Sequence, residues 1–123
     1  QKKVISIVNK NRKKKGLEAL TMDEKLMKAA QDRAKELTKS FSHTRPNGTS
    51  CFTIFEKYKI TPTASGENIA AGQRSAAAVM DSWMNSPGHK GNIMNNRFKK
   101  IGVGLVIVPN DMYSYYWVQM FTE

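Results

Sequence analysis

Residues 101–121 read IGVGLVIVPNDMYSYYWVQMF, and the spacing of the apolar residues among them limits the folds that the chain can adopt. Apolar residues alternate with a period of two over residues 101–107, and they do so again over residues 113–121. Pro109-Asn110-Asp111 separates the two runs with residues that favour turns. The pattern predicts an antiparallel hairpin of two strands. Some of the intervening positions are also apolar, so we expect helices to cover both faces of the sheet.

The chain before this hairpin carries apolar residues at helical spacing. The pattern predicts one helix over residues 2–14, ended by Gly16, and a longer one over residues 21–39. Thr21 and Glu24 have the spacing of a capping box, which would begin the longer helix. The apolar stripe of that helix consists of Leu26, Ala30, the aliphatic stem of Arg33, Ala34 and Leu37.

Shorter elements are predicted between the second helix and the hairpin. Arg45-Pro46-Asn47-Gly48 forms a turn, and a short helix follows over residues 52–58. Another helix is capped by Ser75 and runs to Trp83. The last helix begins at Ser86-Pro87, with the Ser86 hydroxyl expected to accept hydrogen bonds from backbone amides as the cap.

These elements predict an α+β fold, an α-β-α sandwich in which a small antiparallel sheet lies between helical layers, in a single domain over residues 1–123. The chain begins at Gln1 without a Met, so we expect it to have been excised from a longer secreted precursor. The one cysteine, Cys51, has no partner for an internal disulfide and is expected to be a small buried hydrophobe. The apolar core must therefore hold the fold, with no cofactor required for folding.

Positive charge dominates the composition, with 20 Lys and Arg against 10 Asp and Glu and a formal net charge of +10. The first fifteen residues contain seven basic residues and no acid. Such charge favours anionic partners, among them nucleic acid, phosphate-rich wall polymers and lipid headgroups. Nucleic-acid binding is not expected, because no recognition motif occurs and the aromatic residues cluster where basic residues are absent. A role in solvation alone stays open for the basic run.

The two histidines and one acid are the candidates for chemistry. His43 precedes the predicted turn, His89 follows Ser86-Pro87, and Glu67 lies between them in the segment GENIA. Two neutral imidazoles and a carboxylate suffice for an open three-ligand metal site, or for a general base with its orienting acid. The first helical turn disfavours the charged form of His89. A purely structural role for each histidine also stays open, because the spacing is not diagnostic and the standard enzymatic signatures are missing.

Several motifs in one order resemble the CAP superfamily, whose SCP domains occur in cysteine-rich secretory proteins, antigen 5 and the pathogenesis-related proteins of plants. The resemblance covers nearly the whole chain. With a single cysteine, the chain resembles the bacterial branch of the family, which lacks the disulfides of eukaryotic members. The matching segments are the first helix with Asn9 and Arg12, the His43 turn, GENIA at 66–70, Trp83 with SPGHKGNI at 86–93, IGVG at 101–104 and YWVQMF at 116–121.

The resemblance implies the same α-β-α fold and a central cavity lined by two histidines and two acids. By motif these correspond to His43, His89 and Glu67, whereas the position of the second acid holds no carboxylate and Ser86 lies nearest to it. Asn68 is expected to support the backbone beside Glu67. The expected metal ligands are thus His43, His89 and Glu67, for Zn²⁺ or another divalent cation, with Ser86 and Asn68 as further cleft residues.

The resemblance further implies an extracellular or cell-surface domain that works as a binding module, with no agreed catalytic activity. Its expected partners are a cell-wall polymer, a lipid or a host protein, reached through the His/Glu cleft and the basic surface. The alternative is a hydrolase, a protease or esterase in which His43, Glu67 and His89 perform the chemistry on a metal-bound water or on Ser42 or Ser86.

Overall fold

A computed structural model describes all 123 residues. The helices are α1 (Lys2–Lys14), α2 (Glu24–Leu37), α3 (Ala76–Met84) and α4 (Pro87–Ile93), together with a 3₁₀ helix over Cys51–Tyr58. The strands are β1 (Thr21–Met22), β2 (Ser65–Ala71), β3 (Lys100–Ile107) and β4 (Tyr115–Thr122). None of the helices is both long enough and apolar enough to span a membrane.

The four strands form one sheet in the order β1-β3-β4-β2. The predicted hairpin is confirmed, because β3 and β4 pair antiparallel with Ile101 opposite Phe121. Strand β2 pairs antiparallel with the other edge of β4 and places Glu67 opposite Met120. The sheet is not wholly antiparallel as predicted: the short β1 runs parallel to β3, with Thr21 opposite Lys100, before the chain turns into α2.

Helices cover both faces of this sheet, which confirms the predicted sandwich. One face packs against α1, α3 and α4 in a core that includes Val8, Trp83 and Phe121. The other face packs against α2 and the 3₁₀ helix, where Phe55 and Val118 lie in a second core. Two separate apolar layers thus stabilise the domain from either side of a sheet whose central residues are buried.

Helix α2 lies unusually close to β3 because two glycines remove the side chains between them. A Cβ atom on Gly102 would lie 2.2 Å from the carbonyl carbon of Leu26, and one on Gly104 would lie 2.2 Å from the carbonyl oxygen of Ala30. Arg33 follows Ala30 by about one turn of the same helix. The close contact therefore brings a basic side chain of α2 over the sheet.

The helix boundaries correct two sequence predictions. Thr21 is not the cap of α2, because it pairs in β1 and its amide donates to the Lys99 carbonyl at 2.8 Å. Asp23 is the cap instead, and its side chain accepts a hydrogen bond from the Leu26 amide at 2.9 Å. The helix ends at Leu37, two residues before the predicted end. The predicted Ser75 cap of α3 is confirmed, with the Ala78 amide donating to its hydroxyl at 3.0 Å.

Candidate functional site

Glu67 lies in the middle of β2 and is almost completely buried, with 5% of its surface exposed. A buried carboxylate needs hydrogen-bond donors and a compensating charge. The preceding residue, Gly66, allows close packing on the opposite face of β2, since a Cβ atom there would lie 3.0 Å from both the Asn92 side-chain oxygen and the Phe98 ring. The sequence therefore places an acid where the sheet is packed tightly on both sides.

Arg33 supplies the charge that Glu67 requires. Its Nε donates to Glu67 Oε2 at 2.8 Å and its Nη2 donates to Oε1 at 3.1 Å, so the pair is bidentate and buried. The same guanidinium also donates to Glu36 at 2.9 Å and to the Ser42 carbonyl at 2.7 Å. Burial alone would lower the pKa of Arg33, but the bonds to Glu67 and Glu36 raise it above its usual value.

Sequence reasoning missed this role of Arg33, because it counted only the aliphatic stem as part of the apolar stripe of α2. A signal was present: a guanidinium at the centre of a buried stripe must find an acceptor. The sequence alone did not identify Glu67 as that acceptor, because 34 residues separate the two.

His43 contacts the same carboxylate from the solvent side. Its Nδ1 lies 2.8 Å from Glu67 Oε1, while 58% of the side chain is exposed. A carboxylate only accepts hydrogen bonds, so the ring donates from Nδ1 and its Nε2 stays free. The hydrogen bond to Glu67 raises the pKa of His43, and burial opposes that shift.

Cys51 completes a cluster that the sequence did not predict. Candidate ligand atoms of His43, Cys51 and Glu67 all lie within 4.8 Å of one another. Cys51 is buried, as predicted, and burial together with the Glu67 charge raises its pKa to about 12. A thiol that stays protonated at neutral pH is a poor nucleophile, and it would bind a metal only by releasing its proton.

A cavity of about 450 Å³ opens over this cluster. Besides His43, its polar lining comes from Thr44, Ser50, Ser65 and Asn92. A larger cavity of about 530 Å³ lies elsewhere, around Asp23 and other charged residues. We take the smaller one as the candidate cleft, because it contains the cluster of His43, Cys51 and Glu67.

His89 lies outside the cluster and outside the lining of this cleft. It occupies the first turn of α4, where its Nδ1 is 2.8 Å from Ser86 Oγ. Burial lowers the pKa of His89, and the charge of His43 lowers it further, so the two rings are electrostatic neighbours. The three-ligand set of His43, His89 and Glu67 stays a prediction.

The expected capping role of Ser86 is wrong. Its side chain makes no capping hydrogen bond to α4 and instead meets the imidazole of His89. The reason is local: a side chain at the third helical position can reach back to the cap residue, as in a capping box, and here it engages the hydroxyl. Ser86 therefore holds His89 as Glu67 holds His43.

Buried amides connect the two histidine environments. Asn68 is fully buried in β2 and donates from Nδ2 to the His89 carbonyl at 3.0 Å and to Gln119 Oε1 at 3.0 Å. Asn92 of α4 donates to Asn68 Oδ1 at 2.9 Å and to the Glu67 carbonyl at 3.3 Å. Asn68 thus supports the backbone of His89 rather than the expected backbone beside Glu67, whose carbonyl accepts from Asn92 instead. Such a network fixes α4 against β2.

Comparison with known proteins agrees with this architecture. The model of the Cysteine-rich secretory protein family, CAP, matches residues 5–121. "Uncharacterized protein YkwD" of Bacillus subtilis is 40% identical over 108 residues, which are 86% of this chain and 42% of YkwD. The chain therefore spans less than half the length of that relative.

Two solved structures are similar over 99% of the chain. One is an extracellular protein containing a SCP domain from Bacillus anthracis, with a TM-score of 0.88, 27% identity and 39% of that chain covered. The other is an outer surface protein from Borrelia burgdorferi, with a TM-score of 0.88, 28% identity and 90% of that chain covered.

Proposed function

The chain belongs to the CAP family of cysteine-rich secretory proteins, and from that premise we propose that it is an extracellular or cell-surface binding module that takes a divalent cation through His43 and His89. The observation that carries the proposal is that the two imidazole rings have the same pattern of hydrogen bonding. Each Nδ1 has a fixed partner, Glu67 for one ring and Ser86 for the other, and each Nε2 has no hydrogen-bond partner within the protein.

This donor set fits a metal ligand pair. A metal-binding histidine commonly donates its second ring nitrogen to a carboxylate or another acceptor, which fixes the tautomer and the ring orientation. Glu67 has that role for His43, since its two oxygens already accept from Arg33 and His43. Glu67 therefore orients a ligand rather than binding the ion itself. When bound, a divalent cation would supply a positive centre for an anionic or carbonyl ligand.

Location and surface charge support a partner in the cell envelope. The similar solved proteins are described as extracellular or as outer surface proteins. A formal net charge of +10 suits anionic envelope polymers and lipid headgroups over neutral partners. A cell-wall polymer, a lipid or a host protein is accordingly the partner class of the module.

Calorimetric titration with Zn²⁺ at neutral pH tests the cation site. We expect saturable 1:1 binding in the wild type, loss of binding in His43→Ala and in His89→Ala, and retained binding in Cys51→Ala. Cys51→Ala is the matched control, because the thiol lies in the cluster but has a pKa of about 12. Loss in Cys51→Ala with retention in His89→Ala would overturn the proposal in favour of the His43, Cys51 and Glu67 cluster.

The hydrolase alternative rests on one contact, the 2.8 Å distance between Ser86 Oγ and His89 Nδ1. A lowered pKa keeps His89 neutral and able to accept a proton. In a nucleophile and base pair, a third group orients the base, and here the other nitrogen of His89 has no such partner. We therefore rank this function second.

The two functions require opposite tautomers of His89. A metal ligand at Nε2 carries its proton on Nδ1, whereas a base for Ser86 accepts at Nδ1 and carries its proton on Nε2. Nitrogen NMR shifts of the metal-free protein distinguish them. An Nε2 proton, with ester hydrolysis that disappears in both Ser86→Ala and His89→Ala, would favour the hydrolase.

A further inference from the structure

Helix α1 carries a set of lysines that neither the core nor the cleft uses. Six lysines lie in or next to it, all are exposed, and no acidic residue precedes Glu18. None of the six belongs to an ion pair, whereas Lys57, Lys99 and Lys100 each lie within 4.0 Å of a carboxylate oxygen. The six are Lys2, Lys3, Lys10, Lys13, Lys14 and Lys15.

Helical geometry places five of these lysines on one side. At about 100° per residue, they fall within an arc of about 120° around the helix axis. The buried residues of α1, which include Val4 and Val8, lie on the opposite side and pack into the core. The face extends for about 18 Å from the first lysine to the last. We call it the lysine face: Lys2, Lys3, Lys10, Lys13 and Lys14.

The helix that carries this face is fixed on the domain. Arg12 is 1% exposed and donates to the Glu18 carbonyl at 2.8 Å and to the Ile93 and Asn95 carbonyls at 2.9 Å. Asn9 donates to the Leu20 carbonyl at 3.0 Å and accepts from the Leu20 amide at 2.7 Å. A partner would therefore meet charges whose backbone is already ordered.

The surroundings of the lysine face select the type of anion. The large exposed apolar residues of the protein, Phe41, Ile107, Met112 and Tyr113, all lie outside α1. A helix that lies in a lipid interface inserts an apolar face, but the apolar face of α1 is buried in the core. No arginine or aromatic residue is available on the lysine face for bidentate or stacking recognition. The lysines act as a row of point charges, which suits repeated phosphates.

We propose that the lysine face binds a linear phosphodiester polymer of the cell envelope along the axis of α1. This deepens the proposed function and rests on its extracellular location, but it does not depend on the cation site. Five lysines in a row can contact several consecutive phosphates, each contact releasing a counterion. Recognition is electrostatic and insensitive to the sugar or alcohol between the phosphates.

The test measures binding of labelled poly(glycerol phosphate) by fluorescence anisotropy. The face variant replaces the five lysines of the lysine face by Gln, and the matched control replaces Lys25, Lys28, Lys35, Lys39 and Lys59 by Gln. Both variants lower the net charge of +10 by five. The control lysines are exposed and outside ion pairs, but those of α2 alternate with acids such as Asp32. Thermal unfolding checks that both variants fold.

We expect the wild-type affinity to fall about 100-fold between about 50 and 200 mM salt, because about five counterions are released. At about 150 mM salt, where charges more than about 8 Å apart are screened, the face variant should bind about tenfold more weakly or worse, and the control less than about threefold. Equal weakening in both variants would overturn the proposal in favour of diffuse charge. Tighter binding to phosphatidylglycerol vesicles would overturn it in favour of lipid, and tighter binding to duplex DNA in favour of nucleic acid.

The zinc titration separates this proposal from the cation site. Zinc binding in the face variant should equal that of the wild type, because no lysine of the face lines the cleft. Polymer binding without zinc binding would leave the lysine face intact as a proposal and remove the cation site. Zinc binding without polymer binding would overturn the lysine face alone.

Discussion

His43 and His89 are the same residue type, and the protein engages Nδ1 of each ring, yet the two partners differ in chemistry. His43 meets a buried carboxylate, Glu67 Oε1 at 2.8 Å, and its pKa is raised. His89 meets a hydroxyl, Ser86 Oγ at 2.8 Å, and burial lowers its pKa. The comparison shows that the environment, rather than the residue type, sets how readily each ring takes up a proton.

The two histidine environments differ because Glu67 has a second partner, Arg33. Arg33 pairs with both carboxylate oxygens, so the buried acid has a compensating cation while it also contacts His43. The His89 side has no carboxylate and no guanidinium, and it is linked to the first side through Asn68 and Asn92. Removing or adding one charged group on either side should therefore change the pKa of the nearer histidine more than that of the other.

Arg33→Met should have the largest effect, because it leaves Glu67 buried without its cation. We expect the free energy of unfolding to fall by about 3 to 5 kcal/mol. Urea denaturation at neutral pH measures the change. Lys57→Met is the control, since the pair of Lys57 with Asp32 is exposed and should contribute little. Equal stability of Arg33→Met and wild type would show that His43 alone compensates the acid.

Sequence patterns predicted several helices and strands of the fold, but not the contacts that connect the two histidine environments. The period of two in β3 and β4 and the period of 3.6 in α2 are local, so they could be read directly. Strand β2 was missed because its residues 66–70 are all buried, which removes the alternation that identifies a strand.

The site residues were predicted to the extent that a motif contained them. His43, Glu67 and His89 lie in recognisable segments, whereas the contribution of Arg33 depends on a contact across 34 residues that no local pattern encodes. Ser86 was placed correctly as the residue before α4, but its hydroxyl could contact either the backbone amides of that helix or the imidazole of His89. Only the packed position of the imidazole decides between these partners.

Ser86→Asp should make the two histidine environments alike. Asp is also a good helix cap, so α4 should still form. A carboxylate beside His89 should raise the pKa of that ring and strengthen zinc binding by about tenfold, since orienting partners of this type change metal affinity by about 10- to 100-fold. NMR titration of the metal-free protein and zinc calorimetry measure the two effects. Unchanged affinity would show that His89 does not bind the ion, and Ser75→Asp at the cap of α3 controls for added charge.

Glu67→Gln should also make the two histidine environments alike, because it removes the carboxylate beside His43. The pKa of His43 should fall, because the hydrogen bond and charge of Glu67 are what raise it. The pKa of His89 should change less, since burial is the largest cause of its shift. Proton NMR titration of the two imidazoles follows both residues in one sample, with Glu18→Gln as a control for the loss of a distant charge. Equal shifts in both rings would contradict a local cause.

The smallest effect is on the pH dependence of stability, where the two histidines should act in opposite directions. The ordinary pKa of histidine, about 6.5, describes the unfolded chain. His43 has a raised pKa, so its contribution is fully present below about pH 6.5 and is lost as pH rises through the folded-state value. His89 has a lowered pKa, so its contribution is fully present above about pH 6.5 and is lost as pH falls through the folded-state value.

Urea denaturation at pH values on both sides of about 6.5 tests this difference. His43→Ala should lose more stability on the acid side, and His89→Ala should lose more on the neutral side. The same pH trend in both variants would contradict the opposite environments of the two rings.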